Sequence, residues 1–391
     1  MIQRLLFLIA DTGGGHRASA NAVAAALNAA HPNRYDISIV DPFVEAAPSI
    51  AGATTGLYAP IARHVRWLWG GIYYATNSAL AVEGVSRSIL TLLTPGIRAL
   101  IEEQKPAAIV SFHPLLNHVT GRILQAMPED NRPPFLTVVT DFINLHPFWF
   151  SPESDAIVLP TTQALRGCIK HGIRPDRCHV LGLPIGPSFT APPPDPKEKK
   201  LLRKDLGCLS SRPLVVVCGG ADGAGKLMGI TEELLHHEQP VDTVVICGRN
   251  EHLREELTNL EVPHDRTLII QGFVTNMVDW LRAADVVVTK AGPGTVMEAL
   301  CSGTPFVLCW YLPGQERGTV TWLRQHRVSP YSPNPRRVVN YISDVLSYSP
   351  TERQALLERI RTLATPHASS NIADLIESFI SRSTAGTTNG S

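Results

Sequence analysis

Residues Asp11 to Ser19 read DTGGGHRAS, three consecutive glycines followed at once by a histidine and an arginine. Glycine loses more backbone freedom on folding than any other residue, so such a run is kept where the chain must take positive φ or admit another molecule closely. The stretch KAGPGTVMEAL, Lys290 to Leu300, has a different chemistry. Gly292, Pro293 and Gly294 make a turn into a helix, and the free amides of Gly294 and Thr295, at the positive end of that helix, suit an anion such as a diphosphate. Glu298, one turn in, can accept hydrogen bonds from a ribose diol or simply complement the helix dipole. Gln315 and Glu316, in the next strand-end loop, can hold sugar hydroxyls.

These residues need rigid elements behind them. RLLFLIA precedes the glycine run, and the Ala-rich HRASANAVAAALNAAH after it predicts a helix that stops near His31-Pro32. YDISIVD, PAAIVSF and PFLTVVTD predict further strands, each ending in polar or aromatic residues. Strand and helix alternate, which argues for an α/β doubly wound parallel sheet with ligands at the carboxyl ends of its strands. The pattern breaks at TAPPPDPKEKK, Thr190 to Lys200, and restarts with PLVVVCGGADGAG, DTVVICGRN, TLIIQGF, ADVVVTKAGPGT and TPFVLCWYLPG. A second parallel sheet follows. The expected organisation is a first domain over 1–190, a linker over 191–200, a second domain over 201–370 and a disordered small-residue tail over 384–391.

Composition agrees with two domains, because 391 residues with 44% hydrophobic and 18% charged side chains exceed one ordinary core. Lys+Arg and Asp+Glu each number 35, so net charge does not ask for a nucleic-acid partner. The 7 cysteines include no C-x-x-C pair, so neither a disulfide framework nor a zinc site is indicated, and no metal is expected. The apolar run Leu5 to Ala10 is short for a signal-peptide core, and no apolar run reaches the roughly 18 residues of a membrane span. The expected location is cytoplasmic.

Two phosphate-cradle patterns compete for the glycine loops. Gly13, Gly15 and Ala18 fit G-x-G-x-x-A after a strand, with Asp41 ending the next strand where a dinucleotide's ribose acid would sit. Gly220 to Leu227, GADGAGKL, approaches a P-loop, but Leu227 stands where a magnesium-binding hydroxyl belongs, which argues against ATP hydrolysis.

Seven stretches in order, DTGGGHRASA, VTDFINLHPFWF, GLPIGPSF, GGADGAG, GFVTNM, KAGPGTVMEAL and GQERG, resemble the motifs of the monogalactosyldiacylglycerol synthases and the processive diacylglycerol glucosyltransferases, over most of residues 5 to 325. The resemblance implies a GT-B architecture of two Rossmann-like domains facing a cleft, with nucleotide sugar on the C-terminal one and lipid acceptor on the N-terminal one. A last helix near 371–383 would cross back to the first domain. No cofactor is implied, since the UDP-sugar is a substrate.

By that resemblance His16 is the general base, suited by the unperturbed pKa of imidazole near working pH, with His146 as a rival base, and Asp141 orients His16 or binds an acceptor hydroxyl. Gly13, Gly14, Gly15, His146 and Trp149 would face the acceptor, although His146 also fits an ordinary turn before Pro147. Gly219, Gly220, Asp222 and Gly223 match the donor loop, with Ala221 where the family has a third glycine. Phe273 and Val274 would frame the uracil or pack in the core, and Lys290 would compensate diphosphate charge. The reaction implied is inverting transfer of galactose or glucose from a UDP-hexose to diacylglycerol or a related lipid.

Arg63, Arg66, Trp67, Trp69, Tyr73 and Tyr74 lie in a stretch, 50–100, whose only acid is Glu83. Aromatics beside cations suit an anionic membrane interface, or else pack within their own domain. The expected placement is peripheral, at the inner face of the cell membrane. Alternatives are a UDP-sugar enzyme with a non-lipid substrate, such as a 2-epimerase, a nicotinamide dehydrogenase using Asp41, and an inert binding relative.

Overall fold

The structure, a computed structural model, describes residues 2–11, 14–45, 76, 79–208 and 211–388. It divides into two units, one of residues 1–187, 313–315 and 367–391, the other of 188–312 and 316–366.

The first unit contains β1 (Gln3–Leu8), α1 (Gly15–Ala30), β2 (Tyr35–Val40), α2 (Pro42–Glu45), α3 (Ala79–Gln104), β3 (Ala108–Ser111), α4 (Pro114–Gln125), β4 (Phe135–Val138), β5 (Ala156–Leu159), α5 (Thr162–Lys170) and β6 (Cys178–Val180). Its parallel sheet has the order β2-β1-β3-β4-β5-β6. A parallel sheet covered on both faces needs apolar side chains pointing both ways, and β1 supplies them with a period of two. Leu5, Phe7 and Ile9 pack with Ala20, Val23 and Leu27 of α1 on one face. Leu6, Leu8 and Ala10 pack with Leu93, Ile97 and Ile101 of α3 and Leu116 and Val119 of α4 on the other.

The second unit opens with α6 (Pro196–Asp205) and continues as β7 (Leu214–Cys218), α7 (Leu227–Leu235), β8 (Asp242–Ile246), α8 (Glu251–Thr258), β9 (Thr267–Gln271), α9 (Met277–Ala283), β10 (Val286–Lys290), α10 (Pro293–Cys301), β11 (Phe306–Trp310), α11 (Arg317–Gln325), α12 (Pro335–Leu346) and α13 (Pro350–Leu363). Its sheet, also parallel, runs β11-β10-β7-β8-β9. The last helix, α14 (Ala368–Thr388), belongs to the first unit, where Ile372, Ala373, Ile376 and Ile380 complete the apolar face that α1 and β1 begin.

Two boundaries differ from those expected. The proline-rich stretch is not all linker: Asp195 accepts from the amides of Lys197 and Glu198, while Glu198 accepts from the Asp195 amide, a reciprocal cap that starts α6 inside it. Lys199 and Arg203 of that helix then pair with Asp285 at 2.9 and 2.5 Å, and Asp285 also accepts from the Leu214 amide, so the stretch is tied to the second sheet. Burial works to raise the Asp285 pKa, but the two cations outweigh it and hold the carboxyl below its usual range. At the other end, α14 continues through Thr388, into the tail expected to be disordered.

Chain direction across each sheet reverses once. In the first unit the reversal lies between β1 and β3, in the second between β7 and β10. The loops leaving adjacent strands diverge there and open a crevice at the carboxyl ends. The glycine run follows β1, and the KAGPG turn closes β10.

Candidate functional site

In the first unit three neighbouring strands each deliver a side chain to the reversal point. After β1, Gly14 takes φ 82°, a left-handed conformation that a side chain disfavours, and caps α1 through its backbone alone. A Cβ on Gly15 would meet nothing within 4 Å, so the start of α1 is open to approach. His16 follows, half-buried. His113 comes from the end of β3, with its ring edge-on to His16 at a centroid distance of 4.7 Å, and its Nδ1 is buried with no hydrogen-bond partner among the described residues. Thr140 comes from the end of β4, and its hydroxyl lies 2.8 Å from His16 Nδ1.

Burial lowers the His16 pKa to about 4, against smaller opposing effects of the Phe112 carbonyl and the Asp11 charge. His113 is held well below its ordinary value by burial and by its neighbour His16. Both imidazoles are therefore neutral at pH 7, the form that can accept a proton.

Several expected acceptor residues have other partners. The side-chain hydroxyl on His16 is that of Thr140, whereas Asp141, 4% exposed, accepts from Trp149 Nε1 at 2.7 Å and Gln315 Nε2 at 2.6 Å. Trp149 is fully buried and packs with Val139, Phe150 and Ile157, so its ring is a core element rather than an acceptor surface. His146 is 6% exposed and caps the short 310 turn at Pro147–Trp149: Nδ1 accepts from the Phe148 amide, Nε2 faces Thr76 Oγ1 at 3.1 Å, and the ring stacks on Phe148. Gln315 belongs with the first unit, and its amide is spent on Asp141. Asp41 accepts from the amides of Asp11 and Phe43, one on each oxygen, and is 4% exposed. A carboxylate so engaged is not the open ribose ligand that a dehydrogenase needs. Gly13, Arg63, Arg66, Trp67, Trp69, Tyr73 and Tyr74 lie outside the described residues.

At the reversal point of the second unit the loop after β7 meets the turn after β10, while Phe273 and Val274 follow the edge strand β9 and Gln315 lies with the first unit. The loop after β7 closes on itself through Gly223 N to Gly220 O at 3.1 Å and Ala224 N to Gly219 O at 2.9 Å. Gly223 has φ 60°, and a Cβ there would strike the Cys247 carbonyl at the end of β8. Ala221 is not among the positive-φ residues, so alanine in place of the family's third glycine brings no strain, and its carbonyl accepts from the Arg249 amide at 2.8 Å.

Lys290 crosses between the two loops of the reversal point. A Cβ on Gly220 would sit 3.1 Å from its Cε, and one on Gly292 would sit 3.0 Å from the same atom. Its Nζ donates to Glu316 Oε1 at 2.6 Å, and Glu316 Oε2 accepts from the Leu312 amide at 2.7 Å. Glu316, 3% exposed, thus anchors the lysine instead of standing open to sugar hydroxyls. Pro293 is the first residue of α10, no acid occupies its first turn, and a Cβ on Gly294 would meet nothing within 4 Å. Thr295 is half-buried beside it. Glu298 is half-buried, and burial raises its pKa to about 7. Phe273 is 60% exposed, so it is not core packing, while Val274 is half-buried. Arg249 lies over the Phe273 ring at 5.9 Å and pairs with Asp222 at 3.2 Å.

His113, Thr140 and Arg249 escaped the sequence reading. Each sits at a strand end, which was a usable signal, but which strand ends adjoin is a matter of sheet order. Among the described residues no cluster of three or more metal-ligating side chains occurs, and no helix is long and apolar enough to cross a membrane.

The family described as monogalactosyldiacylglycerol (MGDG) synthase matches residues 16–185, and the glycosyltransferase family 28 C-terminal domain matches residues 214–318. The probable monogalactosyldiacylglycerol synthase of Nicotiana tabacum is 32% identical over 375 residues, covering 94% of this chain and 69% of that protein. Monogalactosyldiacylglycerol synthase 1 of Arabidopsis thaliana is 30% identical over the same shares. Both are named as chloroplastic, which overturns the expected cytoplasmic placement at the inner face of the cell membrane. Among solved structures, Acinetobacter baumannii MurG superposes with a TM-score of 0.60 at 14% identity over 96% of this chain and 99% of its own. Anabaena Alr3699/HepE in complex with UDP-glucose gives 0.51 at 14% identity over 99% and 100%. These likenesses establish the GT-B fold. With residues 16–185 and 214–318 matched to glycosyltransferase families and 94% of its length aligned at 32% identity to the Nicotiana tabacum protein, the chain belongs to the monogalactosyldiacylglycerol synthase family of glycosyltransferases.

Proposed function

We propose that the protein transfers a hexose, galactose or glucose, from a UDP-hexose to diacylglycerol or a related lipid at a membrane surface, with inversion at the anomeric carbon. The observation that carries this reading is His16: a neutral imidazole at the open start of α1, with Nδ1 on the Thr140 hydroxyl, in a chain of this family. His16 takes the proton of the lipid hydroxyl as its oxygen bonds to the anomeric carbon. The bond from that carbon to the diphosphate oxygen breaks, and UDP leaves with the electron pair. A positioned base is worth about 100- to 10,000-fold.

The donor's charge is met in the second unit. The diphosphate lies against the amides of Gly294 and Thr295 and the start of α10, with Lys290 beside them, each favourable helix-end contact contributing roughly 0.3–2 kcal/mol. Glu298 accepts from the ribose diol, and the uracil stacks near Phe273. The loop of Gly219, Gly220, Asp222 and Gly223 lines the same reversal point. No cofactor takes part in this scheme.

The test is incubation of the purified protein with UDP-galactose or UDP-glucose and vesicles containing diacylglycerol, with products identified by mass and the anomeric configuration by NMR. A β-hexosyl lipid is expected, and His16→Ala should abolish turnover while UDP binding persists. Hydrolysis or epimerisation of the donor without a lipid product would overturn the reading in favour of a non-lipid substrate.

A further inference from the structure

We infer that Thr140 is the positioning residue of the base: its hydroxyl accepts the Nδ1 proton of His16 and so keeps the lone pair on Nε2, the nitrogen that takes the acceptor's proton. The inference rests on the reading of His16 as the base.

A neutral imidazole carries one proton on either nitrogen, and the hydrogen bond made by one decides the chemistry of the other. Thr140 Oγ1 and His16 Nδ1 are 2.8 Å apart, and Thr140 is 7% exposed, so water does not compete freely for this contact. The threonine is itself fixed on both sides. Val139 before it is fully buried and donates its amide to Val158 O at 3.0 Å. Asp141 after it is clamped by Trp149 Nε1 and Gln315 Nε2. The buried Trp149 and the two hydrogen bonds to Asp141 thereby gain a purpose, since they hold the backbone from which Thr140 reaches across the end of β3 to α1. The His113 ring, edge-on at 4.7 Å, flanks the imidazole on the side of β3. A ring turned over would exchange Nδ1 for a carbon and lose the Thr140 bond, which favours one orientation.

The experiment compares the full-length protein with Thr140→Val, Thr140→Ser and His16→Ala. It measures kcat and KM for UDP-hexose with diacylglycerol vesicles, UDP affinity by calorimetry, and His16 ring-nitrogen shifts by 15N NMR. The expected result is a wild-type imidazole protonated on Nδ1. Thr140→Val should lower kcat by roughly 100-fold, the low end of what a positioned base contributes, with KM for UDP-hexose and UDP affinity unchanged and a proton shared between the two nitrogens. Thr140→Ser, which keeps the hydroxyl, should return to within about threefold of wild type. Should Thr140→Val fold poorly, the serine variant and the wild-type tautomer carry the test alone: an Nε2-protonated wild type overturns the proposal. Normal kcat in Thr140→Val with inactive His16→Ala overturns the role of Thr140 and leaves the base in place. An active His16→Ala overturns the reading beneath both.

Discussion

Lys290 Nζ lies 2.6 Å from Glu316 Oε1, and its stem passes the two glycine turns, at Gly220 and Gly292, that flank the reversal of the second sheet. One ion pair thus ties together the ends of β7, β10 and β11. Lys290→Met would strand a carboxylate that is only 3% exposed, and removing one partner of a buried pair costs about 3 kcal/mol. The double change Lys290→Met with Glu316→Gln should regain most of that stability in urea unfolding yet still bind UDP-hexose weakly. Recovery of both would mean that the lysine has no part in holding the donor. Gly292→Ala places a Cβ 3.0 Å from Lys290 Cε and should raise KM for the donor with smaller effect on stability.

Acid should destabilise the first unit in a defined window. His16 titrates at about 4 when folded and His113 well below 6.5, so between those values and 6.5 the unfolded chain binds more protons than the folded one. Stability therefore rises with pH from about 4 to 6.5, with a total on the order of 3 kcal/mol for His16. Urea midpoints measured across that range should slope upward, and His16→Asn should flatten the slope. An unchanged slope in the variant would assign the acid sensitivity elsewhere.

Glu298 should report on the donor through its proton. Its pKa of about 7, raised by burial, means that stability from its protonated form is fully present near pH 4 and lost as pH rises through 7. A ribose diol donating to the carboxylate favours the charged form, so UDP binding at pH 7 should release a fraction of a proton. Calorimetry in two buffers of different ionisation enthalpy reads this directly. Equal heats in both, or a release that survives Glu298→Gln, would place the diol on another residue.

Phe273→Ala separates binding from folding. With 60% of the residue exposed, the ring contributes little to the core, and the change should move the unfolding midpoint by less than about 0.5 kcal/mol. A stacked base is worth about 1–3 kcal/mol, so KM for the donor should rise about tenfold with kcat retained. A wild-type KM would remove Phe273 from the nucleotide site.

Much of the architecture was legible in the order of residues because it rests on local periodicity. Runs such as LLFLIA and LVVVC, apolar on both faces and bounded by glycine-rich turns, read as strands of a covered parallel sheet, and Gly14 and Gly292 mark where β1 and β10 give way to helices. The Gly-Pro-Gly turn into α10 follows from the same local logic, whereas the exposure of Phe273 does not. Pairing among side-chain ends is another matter. That His16 meets Thr140 and that Glu316 serves Lys290 depend on which strands are neighbours in β2-β1-β3-β4 and β11-β10-β7. Periodicity is a property of a few adjacent residues, whereas strand order and register join positions 26 and 124 residues apart, and only packing of the whole sheet sets them.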